Sequence, residues 1–206
     1  MTATHKKLLL KVLILGDASV GKTSLMQRYV KGGYKEGYKA TIGADFLPKD
    51  VVVQDHFVTM QIWDTAGQDR FDTLGRVFYR GTDICVFVYD VTNPASLENI
   101  HKWKQQYVEA QSSTMDGHTV FAVFGNKADL EDKRVVSQKR AEDWCQANGM
   151  PHYVVSAKDG HNVEQAFAVL VGEATERADT GPDFANGSIF PGQEEPQQRP
   201  ERCSNC

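Results

Sequence analysis

The sequence predicts an α/β domain built on a doubly wound, six-stranded sheet that is mostly parallel and has one antiparallel strand. Short apolar segments alternate with amphipathic helical segments over most of the 206 residues. The segment at 84–91 (ICVFVYDV) is apolar almost throughout, as expected of a central parallel strand that is covered on both faces. The segments at 49–55 and 57–65 are adjacent, and so short a connection favours an antiparallel hairpin.

The first half of the chain begins with a buried strand at 8–16 (LLLKVLILG) and a helix at 22–31. Apolar side chains of this helix share one face at helical spacing: Leu25, Met26, Tyr29 and Val30. After the hairpin, the chain must cross over to reach the central strand in parallel. The crossover segment at 70–81 is therefore predicted to hold a short helix.

The second half continues this alternation. A helix is predicted at 96–111, because Ser96 and Glu98 suit a helix start. The remaining elements are a strand at 119–127, a helix at 137–149, a strand at 152–158 and a helix at 162–178.

Composition separates a folded domain at 1–179 from a tail at 180–206. The whole chain is 41% apolar and 24% charged, which is ordinary globular usage. The tail holds four of the seven prolines and little hydrophobic periodicity, so it is predicted to be disordered. A net charge of -4 weighs against nucleic acid as a partner, because that function favours a basic face.

The N-terminal apolar run and the internal cysteines have simple interpretations. The run at 8–15 is interrupted by Lys11 and is too short to span a bilayer, which indicates a buried strand of a cytosolic protein. Cys85 and Cys145 form neither a CxxC motif nor a zinc spacing, so they are predicted to be buried, unreactive thiols.

A phosphate-binding loop is predicted between the first strand and the first helix. GDASVGKTS matches GxxxxGK[ST] through Gly16, Gly21, Lys22 and Thr23. Backbone N–H groups and the helix dipole would hold phosphates, Lys22 would add a charge, and the Thr23 hydroxyl would ligate magnesium. The nucleotide-binding set here is Ala18, Ser19, Val20, Gly21, Lys22, Thr23 and Ser24. At this point an ATPase or a small-molecule kinase remains a competing class.

Two later loops indicate that the base is guanine. After the fifth strand, NKAD offers Asp129 to accept two hydrogen bonds from guanine, Asn126 to reach N7, and the Lys127 stem to cover the ring. After the sixth strand, SAK offers the Ala157 N–H to the guanine carbonyl, with Ser156 and Lys158 beside it. Two ordered loops of this kind are far more specific than either motif alone.

Two segments between these motifs are predicted to respond to the γ-phosphate. In WDTAGQDRF, Asp64 would hold magnesium through a water, the Gly67 N–H would bind a phosphate oxygen, and Gln68 would orient the attacking water. Upstream, Thr41 offers a second hydroxyl to magnesium and an N–H to the γ-phosphate. Contacts that depend on the γ-phosphate would be made with GTP and released with GDP.

Residues 7–177 resemble a Ras-superfamily GTPase, and within it a Rab, which implies the P-loop NTPase fold of the small GTPases. The Rab-like stretches are TIGADF, MQIWDTAGQDRF and FYRG. The stretches YKATIGADF, TMQIWDTAGQ and NVEQAF resemble the late-endosomal and lysosomal Rab subgroup.

The resemblance implies further roles. Tyr34, where Phe is usual, would pack against the guanine, and Tyr38 would belong to the nucleotide site. Ala18 replaces a Gly of some relatives, which leaves intrinsic hydrolysis open, and Asp69 replaces the more usual Glu. An aromatic triad that reports the switch state to effectors, or that belongs to the hydrophobic core, would comprise Phe46, Trp63 and Phe78.

The resemblance also implies partners and a place of action. A monomeric switch would cycle between the cytosol and the cytoplasmic face of endosomal and lysosomal membranes. It would use an exchange factor, a GTPase-activating protein, a GDP dissociation inhibitor, an escort protein and effectors on its switch face. Arg70, Arg76 and Arg80 are interpreted as surface residues, so hydrolysis should be slow without an arginine from a partner.

Cys203 and Cys206 would be prenylated, because a Rab without a membrane segment needs an anchor. The spacing CSNC leaves one or two geranylgeranyl groups open. The tail carries four acidic and two basic residues, so it has no polybasic patch, which favours two groups. Two other functions remain: an enzyme that modifies another substrate, and a constitutively GTP-bound scaffold with negligible hydrolysis.

Overall fold

A computed structural model of the protein describes residues 6–35, 37, 41, 44–65, 78–111 and 119–180. Six strands form one sheet in the order β2-β3-β1-β4-β5-β6. Their bounds are β1 Lys6–Leu15, β2 Ala44–Val53, β3 His56–Thr65, β4 Ile84–Asp90, β5 Val120–Asn126 and β6 His152–Val154. β2 pairs antiparallel with β3, and every other pair of neighbouring strands is parallel. The predicted fold class is thus confirmed.

Five α-helices and one short 3-10 helix connect the strands within the described residues. They are α1 Lys22–Lys31, α2 Pro94–Glu98, α3 Ile100–Gln111, the 3-10 helix Glu131–Lys133, α4 Gln138–Ala147 and α5 Val163–Thr180. Most of the crossover helix predicted at 70–81 cannot be compared with the structure, because residues 70–77 lie outside the described residues. Thr180, predicted to begin the tail, is instead the last residue of α5, and 181–206 lie outside the described residues.

The helix predicted at 96–111 begins earlier and is divided at Asn99. Asn93 caps α2 by accepting the Ala95 N–H at 3.2 Å, and Pro94 occupies the first turn, where its missing N–H costs nothing. The helical path continues through Asn99, whose N–H still donates to the Ala95 carbonyl at 2.9 Å.

The sheet separates two layers of core, because side chains alternate along each strand. On β1, Leu10, Val12 and Ile14 face the layer that α1 and α5 cover. Leu13 and Leu15 face the opposite layer, which α3 and α4 cover. β4 is buried along its whole length, which confirms its prediction as the central strand.

The apolar face predicted for the first helix is buried as expected. Leu25, Met26 and Tyr29 are buried, and Val30 is partly buried against the same core. The Tyr29 ring stacks on Phe167 of α5 with 4.0 Å between centroids, so α1 and α5 pack side by side on the sheet.

Cys85 and Cys145 are buried and free of disulfides, as predicted. Burial raises the pKa of both thiols, to about 12 for Cys145, so neither forms a thiolate near neutral pH. Among the described helices, none combines the length and the hydropathy that a membrane span requires.

The parallel strands place the loops that follow β1, β3, β5 and β6 at one edge of the sheet. Ligands of doubly wound sheets bind beyond this carboxyl edge. The phosphate-loop and base motifs lie at the carboxyl ends of these strands or in the loops that follow them, whereas Thr41 lies between α1 and β2.

Candidate nucleotide-binding site

The loop between β1 and α1 requires glycine at two positions. Gly16 has φ 147, and a Cβ there would lie 2.3 Å from the carbonyl oxygen of Val88. Gly21 has φ 95, and its Cβ would lie 2.3 Å from the Asn126 amide nitrogen. The chain therefore passes against β4 and β5 at distances that only glycine allows.

Lys22, the first residue of α1, lies inside this loop and is only 5% exposed. Its ammonium donates to the carbonyl oxygens of Gly16 and Asp17, at 2.8 Å each. Burial lowers the pKa of Lys22 to about 8, against the opposing charges of Asp64 and Asp17. A positive charge held by carbonyls next to a helix N-terminus is suited to binding an anion.

Three side chains from separate segments bring oxygen atoms together beside Lys22. The Thr23 hydroxyl donates to Asp64 Oδ2 at 2.5 Å and lies 2.9 Å from the Thr41 hydroxyl. Thr41 also donates to Asp64 Oδ2, at 3.3 Å. Burial raises the pKa of Asp64, while the Thr23 hydroxyl and the Lys22 charge oppose that shift.

This group of oxygens fits a hard divalent cation. Asp64 is fully buried, and its Oδ1 has no hydrogen-bond partner among the described residues, so one carboxylate oxygen is available to a ligand. Within those residues no three His, Cys, Asp or Glu side chains form a metal cage. Magnesium suits such a sparse donor set, since it commonly takes one or two carboxylates and completes its shell with phosphates and waters.

Asn126, at the end of β5, joins the phosphate loop to the loop after β6. Its side chain is buried, with Nδ2 donating to the Val20 carbonyl at 2.8 Å. Its Oδ1 accepts the Ala157 N–H at 3.1 Å. The predicted phosphate and base motifs are therefore held together by one amide.

The other predicted base-reading residues lie in the same region. Lys127 has a positive φ of 69, and its ammonium lies 2.6 Å from Asp90 Oδ2. Asp129 Oδ1 accepts the Ser156 hydroxyl at 2.8 Å. Since Ser156 bonds one carboxylate oxygen of Asp129, the two loops named by the NKAD and SAK motifs are in contact.

The aromatic triad forms a continuous row. The centroids of Phe46 and Trp63 are 5.3 Å apart, and those of Trp63 and Phe78 are 5.2 Å apart. Trp63 packs against the core layer that holds α3, whereas Phe46 is 41% exposed. The row thus runs from the core to the surface, so both interpretations of the triad have structural support.

The part of the chain that carries the phosphate loop and the base loops matches a known protein family. A model of the Ras family matches residues 11–176. The chain belongs to the Ras family. It is 52% identical over 203 residues to the Ras-related protein Rab7 of Drosophila melanogaster, covering 97% of this chain and 98% of that protein.

Other relatives carry related names. Ras-related protein Rab-7a of Dictyostelium discoideum is 51% identical over 190 residues, with 92% of this chain and 90% of that protein covered. Ypt/Rab-type GTPase Rab7 of Neurospora crassa is 52% identical over 174 residues, with 84% of this chain and 85% of that protein covered. The chain is therefore a Rab-type GTPase of the Ras family, and it hydrolyses GTP.

Some predicted residues of this Ras-family site lie outside the described residues. These are Tyr38, Gly67 and Gln68, together with Asp69, Arg70, Arg76, Cys203 and Cys206. Tyr34 follows α1 and is 38% exposed, and Arg80 is also exposed, as predicted.

Asp17 is a positioning residue of the Ras-family phosphate loop that the motif analysis did not single out. Its Oδ2 accepts Asn99 Nδ2 at 2.7 Å, and its Oδ1 accepts Trp103 Nε1 at 2.8 Å. The loop is thereby attached to the α2–α3 junction. The only local sign of this role was a carboxylate inside the loop. Its two hydrogen-bond donors lie more than eighty positions later in the sequence, so no local pattern connects them to Asp17.

Proposed function

We propose that this Rab-type GTPase is a GTP/GDP switch in vesicular membrane traffic at late endosomes and lysosomes. The observation that carries the proposal is the contact among Thr23, Thr41 and Asp64. It connects the phosphate loop to the segment before β2 and to the end of β3. A cation and a γ-phosphate at this point would hold both segments in one conformation at the same time, and loss of the γ-phosphate would release them.

The positions of Lys22, Thr23, Thr41 and Asp64 support the proposed phosphate and metal roles. Backbone N–H groups from Ala18 to Ser24 bind the phosphates, and Lys22 gives its charge to the β- and γ-phosphates. Thr23 and Thr41 ligate magnesium directly, and Asp64 holds it through a water. The bound ion supplies charge neutralisation, and the protein keeps its ligands in place.

Guanine is selected by the loops after β5 and β6. Asp129 accepts from the ring N–H and the exocyclic amine, and Asn126 reaches N7. The Lys127 stem covers the ring, with Tyr34 and Tyr38 at the nucleotide's edge. Ala157 donates its N–H to the guanine carbonyl, supported by Ser156 and Lys158.

Hydrolysis depends on positioning and charge more than on covalent chemistry. Gln68 orients the attacking water, and the Gly67 N–H bonds the γ-phosphate. Turnover is slow because none of the sequence motifs aims an arginine at the γ-phosphate. An activating protein that inserts an arginine raises the rate by about 10³- to 10⁵-fold.

The Rab type supports a proposal for membrane attachment and regulation. Geranylgeranyl groups on Cys203 and Cys206 anchor the chain, and an escort protein and a GDP dissociation inhibitor shield them in the cytosol. About 22 residues separate the end of α5 from Cys203, and a flexible coil of that length would span roughly 25–30 Å, enough to let the switch face reach partners above the membrane. Effectors dock on that face beside Phe46, Trp63 and Phe78.

Single-turnover GTP hydrolysis, with and without a Rab-specific activating protein, tests the switch. We expect slow intrinsic hydrolysis and strong acceleration by the activating protein. A protein that stays GTP-bound in both conditions would instead be a constitutive scaffold. Localisation of the tagged protein against late-endosomal and lysosomal markers tests the compartment.

A further inference from the structure

Arg28 of α1 connects the phosphate-binding helix to the loop that follows β6. Its Nε donates to the Ala157 carbonyl at 2.8 Å, and its Nη2 donates to the Lys158 carbonyl. Its Nη1 donates to the carbonyl of Gly32, the residue that ends α1, at 2.9 Å. One half-buried guanidinium therefore bonds three carbonyls in two segments that lie far apart in the sequence.

These bonds complete the restraint of the Ala157 backbone. The peptide plane before Ala157 is held through the Ser156 carbonyl, which accepts the Gly160 N–H at 2.9 Å. The peptide plane after it is held through the Ala157 carbonyl, which accepts Arg28 Nε at 2.8 Å. The Ala157 N–H belongs to the first of these planes. The Arg28 bond to the next carbonyl limits rotation about φ and ψ of Ala157, and it thereby limits tilting of the plane that carries the N–H.

We infer that Arg28 is a positioning residue for guanine recognition, acting through the Ala157 N–H on the carbonyl oxygen of the base. The inference rests on the proposed function, in which that N–H meets the guanine carbonyl. In the structure the N–H donates to Asn126 Oδ1 at 3.1 Å, so the base would share this donor with the amide. A shared donor tolerates little angular error, which makes its orientation important.

The geometry needs a guanidinium. Neighbouring carbonyls receive separate N–H groups of one planar fork, whereas a lysine ammonium is a single point of charge on a flexible stem. Lysine at this position would reach one of the carbonyls and would leave the loop less restrained. Arg28→Lys is therefore the graded variant, and Arg28→Gln removes the fork.

The test compares nucleotides that differ at one atom or group of the base. The affinities of full-length protein for GDP, 6-thio-GDP and inosine diphosphate are measured by competition with fluorescent GDP. The measurements are made at a pH at which the ring N–H of the 6-thioguanine base stays protonated, so that the two bases differ only in oxygen and sulfur. Sulfur in place of the carbonyl oxygen weakens the contact with Ala157. Inosine keeps the oxygen but lacks the amine that Asp129 reads.

We expect the parent protein to prefer GDP over 6-thio-GDP, and Arg28→Gln to reduce that preference by about threefold to tenfold, the range of one hydrogen bond. Arg28→Lys should reduce it by less. The preference for GDP over inosine diphosphate should stay unchanged in both variants. Each preference is the ratio of two nucleotide affinities measured on the same protein. A partly unfolded fraction lowers both affinities equally, so it does not change the ratio.

Arg140→Gln is the matched control. Arg140 is an exposed arginine of α4 that pairs with Glu98 of α2 at 2.8 Å, and neither residue belongs to a base loop. Its substitution should change neither ratio.

An unchanged oxygen-to-sulfur preference in Arg28→Gln would overturn the inference, as would an equal loss of both preferences, which indicates general loosening. A parent protein without any oxygen-to-sulfur preference would overturn the Ala157 role and the inference with it. A parent protein that binds no guanine nucleotide would overturn the proposed function itself.

Discussion

The side-chain amide of Asn126 donates to the carbonyl oxygen of Val20 at 2.8 Å and thereby joins the end of β5 to the phosphate loop. Because the same amide accepts the Ala157 N–H, a change at this one side chain reaches the phosphate loop and the loops after β5 and β6. The contact is buried, so water cannot replace the lost partner without cost.

Asn126→Asp should accelerate GDP release. The carboxylate keeps the shape and accepts from Ala157, but it cannot donate to Val20, and two acceptors then face each other in a buried site. We expect the dissociation rate of fluorescent GDP to rise at least about tenfold, in line with an unsatisfied buried group. Asn148→Asp is the control, since Asn148 also donates to a carbonyl, that of Trp144 at 2.8 Å, but at the end of α4. Equal release rates in the parent and Asn126→Asp would contradict the bridging role.

Asp129→Asn should shift base preference from guanine to xanthine. Asp129 already accepts the Ser156 hydroxyl through one oxygen, so an amide can keep that bond and turn its NH₂ toward the base. Xanthine presents a carbonyl where guanine has an amine, and the amide donor then fits. Competition between GTP and xanthosine triphosphate should show the preference for GTP reduced by about 10²-fold or more. A variant that binds both nucleotides as the parent does would show that Asp129 does not read the base.

Gln68→Leu should keep tight GTP binding and lose assisted hydrolysis. Leucine has a similar size but cannot orient a water, and such positioning is worth about 10²- to 10⁴-fold in rate. Single-turnover hydrolysis with an activating protein measures the effect. Gln54→Leu is the control, because Gln54 is an exposed hairpin residue. Undiminished assisted turnover in Gln68→Leu would remove its catalytic role.

Thr23→Asn should weaken magnesium binding and favour the GDP-bound or empty state. The substitution removes the hydroxyl that lies 2.5 Å from Asp64 Oδ2 and places a larger amide among three oxygens. Removing magnesium with EDTA should speed GDP release from the parent, and the variant should already release GDP rapidly without EDTA. Thr59→Asn is the control, since the Thr59 hydroxyl also donates to a carboxylate, that of Asp50 at 2.7 Å, but on the β2–β3 surface. Equal sensitivity of the parent and Thr23→Asn to EDTA would argue against Thr23 as a ligand.

Replacing Cys203 and Cys206 by serine should leave GTP binding intact and make the protein cytosolic. Two geranylgeranyl groups provide stable anchoring, whereas a single chain without a polybasic patch binds a membrane reversibly. Intact-mass measurement of protein from its native cells counts the groups. The single variants Cys203→Ser and Cys206→Ser distinguish one modified cysteine from two. Membrane-bound protein with an unmodified C-terminus would overturn the lipid anchor.

The sequence alone determined the order and type of most elements and the loops that hold the nucleotide motifs. These features are local: a period of two or 3.6 residues sets each strand or helix, and each motif lies within a few residues of a strand end. Helix α1 shows this well, since its observed bounds Lys22–Lys31 equal the predicted segment.

Only the tertiary structure decided where β2 begins and how the loops hold one another. Pro48 and the polar residues near it gave no local strand signal, yet β2 starts at Ala44 because its ladder with β3 extends to the pair of Ala44 and Thr65. Pro48 is tolerated there because β2 is an edge strand. The contacts of Asn126 with Val20 and of Arg28 with Ala157 join residues 106 and 129 positions apart. Such contacts depend on strand order and on the angle at which α1 packs, and no local pattern in a single sequence encodes either.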